Sequence, residues 1–409
     1  MSAVFPPRMM AAATPIMPVL PLPPFSVSVL HFRNKEGSVR MNYRQKSHYT
    51  VFVLIIVMIM IGIGTCQALE FQQQVIDLAG RRVAVPRRID RIVALGPGTL
   101  RLVAYLQAVD KVVGIEEFER RNISFFLRPY AAVTTERLKT LPVVAPGGAG
   151  KLPDMEQLMA CRPQLILCIG LDVAQVENLQ QKTRIPVLFL SYGELGVLRQ
   201  EAIESIRLLG NVLGKEERAA RLIDFIGFVR RDLRQRVQST RDGGRSTVYF
   251  GGIAYKGGQG LTSTEAGYFP GRLVQACNVA DFTRRSGHLF IDPEQLMLWN
   301  PDIIFIDASS IPTIINDSQH NQTFYRLLKA VKSGKVFSLL PYNQYNTNIE
   351  IALANAYFIG RQIFPDVFAD FDMVEKRRQI FRLFLGNPGP EQLPAYSSLS
   401  LADARLAQK

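Results

Sequence analysis

KEERAARLIDFIGFVRRDLRQRV, residues 215–237, holds no Pro and a single Gly. Its Leu222, Ile226, Val229, Leu233 and Val237 recur at steps of three and four residues. That spacing puts one apolar stripe on a helix of about six turns and leaves the charged residues on the other face. Asn211 to Gly214 offer a start signal and the STRDGG run at 239–244 a stop. The segments on either side resemble each other, so the helix is expected to be a strut between two similar lobes.

The likeness of the flanks is specific. DMEQLMACRPQLILCIG (154–170) aligns with DPEQLMLWNPDIIFIDA (292–308) at a constant offset, with Asp, Glu, Gln, Leu, Met, Pro and Ile coinciding. Each copy reads as a short helix, a Pro-marked turn and a buried strand. Before the strut, apolar runs at 91–95, 111–115, 165–169 and 187–190 alternate with helical segments, one of them at 100–106. After it, runs at 247–250, 302–306 and 336–340 do the same, followed by a helix over 349–363. Alternation of this kind predicts an α/β chain, two Rossmann-like lobes with parallel sheets joined by one long rigid helix, and a ligand cleft between the lobes. The expected organisation is an extension of misassigned or disordered chain (1–40), a signal peptide (41–68), an N-terminal lobe (69–196), an inter-lobe helical region (197–240), a C-terminal lobe (241–385) and a disordered tail (386–409).

The signal-peptide reading rests on Arg44 and Lys46, then the apolar core Val51 to Ile63, then Cys66-Gln67-Ala68. The apolar run is shorter than the ~20 residues a spanning helix needs, so cleavage after Ala68 and a periplasmic location are expected. Cys66 raises the rival of a lipid anchor, for which Thr65 directly before it is a poor fit. The chain carries a net charge of +13, and its basic excess persists past residue 68. Such an excess favours an anionic partner. No dense Lys/Arg tract, RNP-type or zinc-finger pattern points to nucleic acid. Cys161, Cys168 and Cys277 form no CxxC spacing, so no metal site is expected, and the first two suit small core positions.

VIDLAGRRVAVPRRIDRIVALGPGTLRLVAYLQAVDKVVGI, from residue 75, resembles the opening of the helical-backbone (class III) periplasmic substrate-binding proteins of ABC importers. The resemblance extends over roughly residues 74 to 366, through both E-Q-L units and the long helix. It implies two Rossmann-like lobes on a rigid helix, no enzymatic activity and no cofactor. The implied cargo is a ferric siderophore, haem or cobalamin, or an oxyanion such as molybdate in one branch. The implied partner is an ABC permease/ATPase complex, and the chain is expected to be a monomer. In relatives the first loop often carries Ser or Thr followed by Glu; here Arg101 stands where that Glu would be, in Pro97-Gly98-Thr99-Leu100-Arg101. Glu156 and Glu294, equivalent in the two repeats, match the acidic residues that dock into arginine pockets of the permease, and they also simply suit a helix N-terminus.

Ligands of α/β sheets bind beyond the carboxyl ends of parallel strands. Gly98, Thr99, Arg101 and Tyr192 fall there in the first lobe, and Tyr255, Lys256, Tyr268, His288, Tyr342 and Tyr345 in or near such loops of the second. A guanidinium at a helix start suits a carboxylate, catecholate or oxyanion. Tyrosines suit a flat or aromatic ligand or ferric iron. Packing of the same tyrosines over a sheet edge, and a structural His288, are the plainer alternatives. The glycines at 251–252 and 257–258 are not a phosphate loop, since no G-K-S/T follows them. An iron complex leads among the ligands, with molybdate or tungstate second. An enzyme on paired Rossmann-like lobes, such as a cluster oxidoreductase or a transferase, and a surface adhesion module are the rival classes.

Overall fold

The computed structural model describes residues 72–121, 128–193, 199–238, 246–255, 257–386 and 396–401. The extension, the signal segment and Lys256 lie outside them. A hairpin, β1 (Gln72–Ile76) and β2 (Arg82–Pro86), opens the described chain, turning at Gly80. The first lobe is a sheet of β3 (Ile92–Leu95), β4 (Val112–Glu116), β5 (Val143–Ala145), β6 (Leu165–Cys168) and β7 (Val187–Phe189) in the order β5-β4-β3-β6-β7. Every pairing in it is parallel. β3 and β6 are buried along their whole length, as a sheet covered on both faces requires.

The second lobe contains β8 (Thr247–Gly251), β9 (Ser263–Ala266), β10 (Cys277–Asn278), β11 (Gly287–Phe290), β12 (Ile303–Asp307) and β13 (Val336–Leu339), with the path β11-β9-β8-β12-β13. β8, β12 and β13 are parallel, but β9 runs antiparallel to both β8 and β11. The all-parallel expectation therefore fails at this edge. The β8–β9 connection is too short for the helical crossover that parallel strands need, and it turns back as a loop.

The two repeats take equivalent places in separate sheets. α1 (Met155–Ala160) precedes β6, which lies beside β3; α2 (Pro293–Trp299) precedes β12, which lies beside β8. Asp154 and Asp292 are the residues just before these helices, and Asp154 accepts from the Gln157 N–H at 3.0 Å.

α3 (Gln200–Leu213) ends at Gly214 in the left-handed region, and after Lys215 the chain enters α4 (Glu216–Gln238), which is itself unbroken. At ~1.5 Å per residue this rod is ~35 Å long. Leu222, Ile226, Val229, Leu233 and Val237 are all buried, as the stripe predicts, in one core cluster that takes in both lobes. Burial stabilises by roughly 1.5–3 kcal/mol per large side chain. Arginines fasten both ends of the rod. Arg218 donates to the carbonyl of Tyr105 at 2.9 Å and to those of Leu383 and Phe384, while Arg236 forks onto Asp370 at 2.7 and 2.8 Å.

The expected tail is not all disordered. Residues 396–401 run along the outer edge of β13, with Ser338 N–H donating to Ser397 O at 2.9 Å and Leu399 N–H to Val336 O at 2.8 Å. Tyr396 stacks on Phe358 at 4.0 Å and Leu401 is buried, so apolar anchors hold the segment down.

Candidate functional site

The carboxyl ends of β3, β4 and β5 meet a loop that leaves the carboxyl end of β13. This strap, Pro341-Tyr-Asn-Gln-Tyr-Asn-Thr347, lies between β13 and α5 (Ile349–Ile363). Tyr345 and Asn346 both have positive φ, 51° and 74°, which turns the strap tip toward the first lobe. Asn346 there donates to the Pro97 carbonyl at 3.2 Å.

Arg101 is fully buried, at 0% exposure. Its guanidinium donates to the strap carbonyls of Gln344 (2.7 Å) and Thr347 (3.1 Å) and lies over the Tyr130 ring at 5.0 Å. The sequence places this residue at a cleft wall. The structure instead spends its fork on backbone acceptors between the lobes, which corrects its assignment as a ligand clamp. Thr99 is likewise turned inward, donating to the Leu95 carbonyl at 2.6 Å. Gly98 has φ 84°, and a Cβ there would come within 2.8 Å of the Tyr192 ring and 3.0 Å of Asn346, so only glycine lets the strap close. Tyr192 is buried and donates to the Gly98 carbonyl at 3.2 Å; burial pushes its phenol up to about 12.

Tyr345 crosses furthest. Its Oη donates to Glu116 Oε2 at 2.7 Å and accepts from Gly148 N–H at 2.7 Å, and its ring stacks on Phe118 at 3.8 Å. Glu116, the last residue of β4, also accepts from Gly96 N–H at 2.7 Å. Burial raises this carboxyl to about 7, although both hydrogen bonds oppose the rise. Beneath Phe118 lies a buried ion pair, Arg128 to Glu119 at 2.6 Å, with Tyr130 Oη donating to the same carboxylate at 2.8 Å. The Arg128 guanidinium covers the Phe118 ring at 5.0 Å. Neither Glu116 nor Gly148 stands out among its sequence neighbours; the usable signal was a carboxylate closing an apolar strand and a glycine pair after the next one.

The other end of the strap repeats this chemistry within its own lobe. Tyr342 is buried and donates to Glu265 Oε1 at 2.9 Å, and burial raises Glu265 to about 7. Asp307, at the end of β12, is raised by burial to about 6 while accepting from Ser309.

The remaining expected residues separate. Tyr268 is a core residue, stacked on Phe250 at 4.1 Å, because its ring packs over the sheet rather than beyond its end. This corrects its placement in a cleft. Tyr255 and His288 come together at the sheet edge, rings stacked at 4.5 Å, with Phe290 against the histidine at 4.7 Å. Tyr255 is 47% and Phe290 59% exposed. β11 runs in the same direction as β8, so Phe290 and the loop carrying Tyr255 share the carboxyl end of the second sheet. His288 Nε2 lies 2.8 Å from Ser263 Oγ, and burial lowers its pKa. Glu156 and Glu294 are exposed in the first turns of α1 and α2, one on each lobe. Among the described residues no cluster of three or more His, Cys, Asp or Glu is arranged to hold a metal ion.

The family model for "Periplasmic binding protein" matches residues 92–342, from the first buried strand to the strap. The chain belongs to the periplasmic binding protein family. It is 22% identical over 333 residues to the molybdate-binding protein MolA of Haemophilus influenzae, covering 75% of this chain and 89% of MolA. The structure of MolA bound to molybdate superposes with a TM-score of 0.60, 20% identity, and coverage of 76% of this chain and 98% of MolA. A periplasmic solute binding protein of Veillonella parvula gives 0.62 at 21% identity, covering 77% and 93% of the two chains. The TroA-like protein FepB of the same organism gives 0.58 at 21%, covering 76% and 96%. Identities this low establish the shared fold, two lobes on a rod. This is a substrate-binding transport protein of an ABC system and not an enzyme, and what it binds is cargo rather than cofactor. No helix among the described residues is long and apolar enough to cross a membrane.

Proposed function

We propose that this binding protein captures an iron complex of the ferric siderophore type between its lobes and delivers it to an ABC permease. The observation that carries the cargo is the Tyr255–His288–Phe290 group at the carboxyl end of the second sheet, in which Tyr255 stacks on the half-buried His288, Phe290 packs edge-on, and the Tyr255 and Phe290 rings are exposed. Exposed rings at a ligand-side rim suit a flat or aromatic chelate. Arg101, the one group that favoured a small oxyanion, is already committed to strap carbonyls. Export by the segment 41–68 brings the protein to the periplasm, and Glu156 and Glu294 face the permease as a pair.

Molybdate or tungstate is the second reading, and the similarity to MolA over most of both chains favours it. A thermal-shift and calorimetry panel of the mature protein with ferric catecholate and hydroxamate complexes, haem, cobalamin, molybdate and tungstate separates the two. The proposal expects saturable stabilisation by a ferric complex. Stabilisation by molybdate or tungstate alone would replace the first reading with the second.

A further inference from the structure

Both the phenol oxygen and the ring of Tyr345 are seated on the first lobe. The phenol oxygen sits on one backbone donor, Gly148 N–H, and one carboxyl acceptor, Glu116 Oε2, both at 2.7 Å. The ring lies flat on Phe118 at 3.8 Å. Gly147 makes the seat: it has φ 87°, and a Cβ there would come within 2.9 Å of the phenol oxygen and 2.7 Å of Phe118. The Phe118 ring also carries Arg128, itself paired with Glu119, so the platform is braced by partners of its own lobe. The first lobe thus carries a seat shaped for a ring with a hydroxyl, built from its own strand ends.

We propose that Gly148, Glu116 and Phe118 form a hydroxyl-binding niche of the first lobe, that Tyr345 fills it as a surrogate while the protein is empty, and that a ring hydroxyl of the cargo evicts Tyr345 on loading. One donor and one acceptor fit an oxygen that bears a hydrogen, because such an oxygen both accepts from the amide and donates to the carboxylate. A bare tetraoxyanion can accept from the amide but has no hydrogen to give Glu116, and it is repelled wherever that carboxyl is ionised. The niche therefore suits a cargo that keeps an uncoordinated ring hydroxyl, since a catechol chelating Fe(III) has given up both hydrogens, and it disfavours molybdate. For the cargo the inference rests on the function proposed above; for the niche it rests on the geometry alone.

The test removes the surrogate and returns it as a separate molecule. Tyr345→Ala should lower the melting temperature, and p-cresol should restore it where toluene, the same ring without the hydroxyl, does not. Changing Glu116→Leu in that background should erase the difference between the two. Equal rescue by toluene would overturn the niche. Free catechol should bind Tyr345→Ala about tenfold more tightly than wild type, since no surrogate has to leave and about one hydrogen bond's worth of competition is gone. Equal or weaker binding would overturn eviction. If Tyr345→Ala does not fold, Tyr345→Phe takes its place, read by hydrogen exchange: the Gly148 amide should lose protection while Gly96, still held by Glu116, keeps it. Retained protection at Gly148 would also overturn the assignment. Because p-cresol rescue needs no natural cargo, failure of every wild-type panel ligand alongside successful rescue would remove the iron-complex reading and leave the niche.

Discussion

The rod at 216–238 and the strap at 341–347 both tie one lobe to the other, and they do it with opposite chemistry. The rod contributes five buried aliphatic side chains along a single stripe, with arginines at its ends bonded to main chain and Asp370. Apolar packing of that kind is insensitive to pH and resists graded change, because a dense core has few alternative arrangements. The strap contributes no aliphatic stripe, only the rings of Tyr342 and Tyr345. It is held by Arg101, by Asn346 and by two tyrosines, each donating to a buried carboxyl raised to about 7, one per lobe. One connection fixes the distance between the lobes, and the other is free to answer to solvent and ligand.

The strongest way to break this contrast is in the rod. Val229→Pro removes a helix hydrogen bond in the middle of the buried stripe, and a cost of ~3 kcal/mol or more is expected. Loss of a cooperative thermal transition would show it. A variant that melts like wild type would mean that the lobes do not depend on the rod. Arg101→Ala comes next, leaving two strap carbonyls unpaired in a buried place, at a cost of about 3 kcal/mol in urea unfolding. Arg101→Lys should recover only part of this, since one ammonium lacks the planar fork that reaches both acceptors.

The pH profile sharpens the comparison further. Glu116 and Glu265 move from the ordinary 4.5 up to about 7, and Asp307 from 3.8 to about 6. Between those limits the folded protein holds more protons than the unfolded chain, so stability should fall as pH rises from about 4.5 to 7. Urea midpoints across that range should slope downward in wild type. Glu116→Gln and Glu265→Gln together should flatten the slope, and an unchanged slope would place the titration elsewhere. The smallest effects on stability belong to the exposed rim. Tyr255→Ala should shift unfolding by no more than ~0.5 kcal/mol, yet weaken ferric-complex binding about tenfold. Glu156→Ala and Glu294→Ala should leave both unfolding and cargo affinity unchanged while reducing transport by reconstituted permease.

How far the sequence could be read follows the same division. The rod was legible because three- and four-residue spacing of Leu222 through Val237 admits one geometry. Both repeat units were legible because Asp154 and Asp292 open matching helices before matching buried strands. The strap was not. PYNQYNTN has no period, and its conformation is imposed by partners more than two hundred residues away, such as Arg101 and Glu116. Arg101 looked like a cleft residue because its position after a strand-end glycine says nothing of what covers it. Glu116 vanished into EEFER, where nothing in the pattern tells the buried Glu116 and Glu119 from Glu117 and Arg120 beside them. Tyr255 and His288 were named from loops near strand ends, whereas His288 lies within β11 and the stacking of the two rings depends on the antiparallel turn of β9, which local propensity does not reveal. The same turn made the second sheet mixed.

The stretch 396–401 carries a consequence for colloidal behaviour. By pairing with the outer flank of β13 it caps a row of amides and carbonyls that would otherwise invite a foreign strand. The molecule supplies its own bumper there, and cutting the chain before Tyr396 would turn a sealed border into an adhesive one.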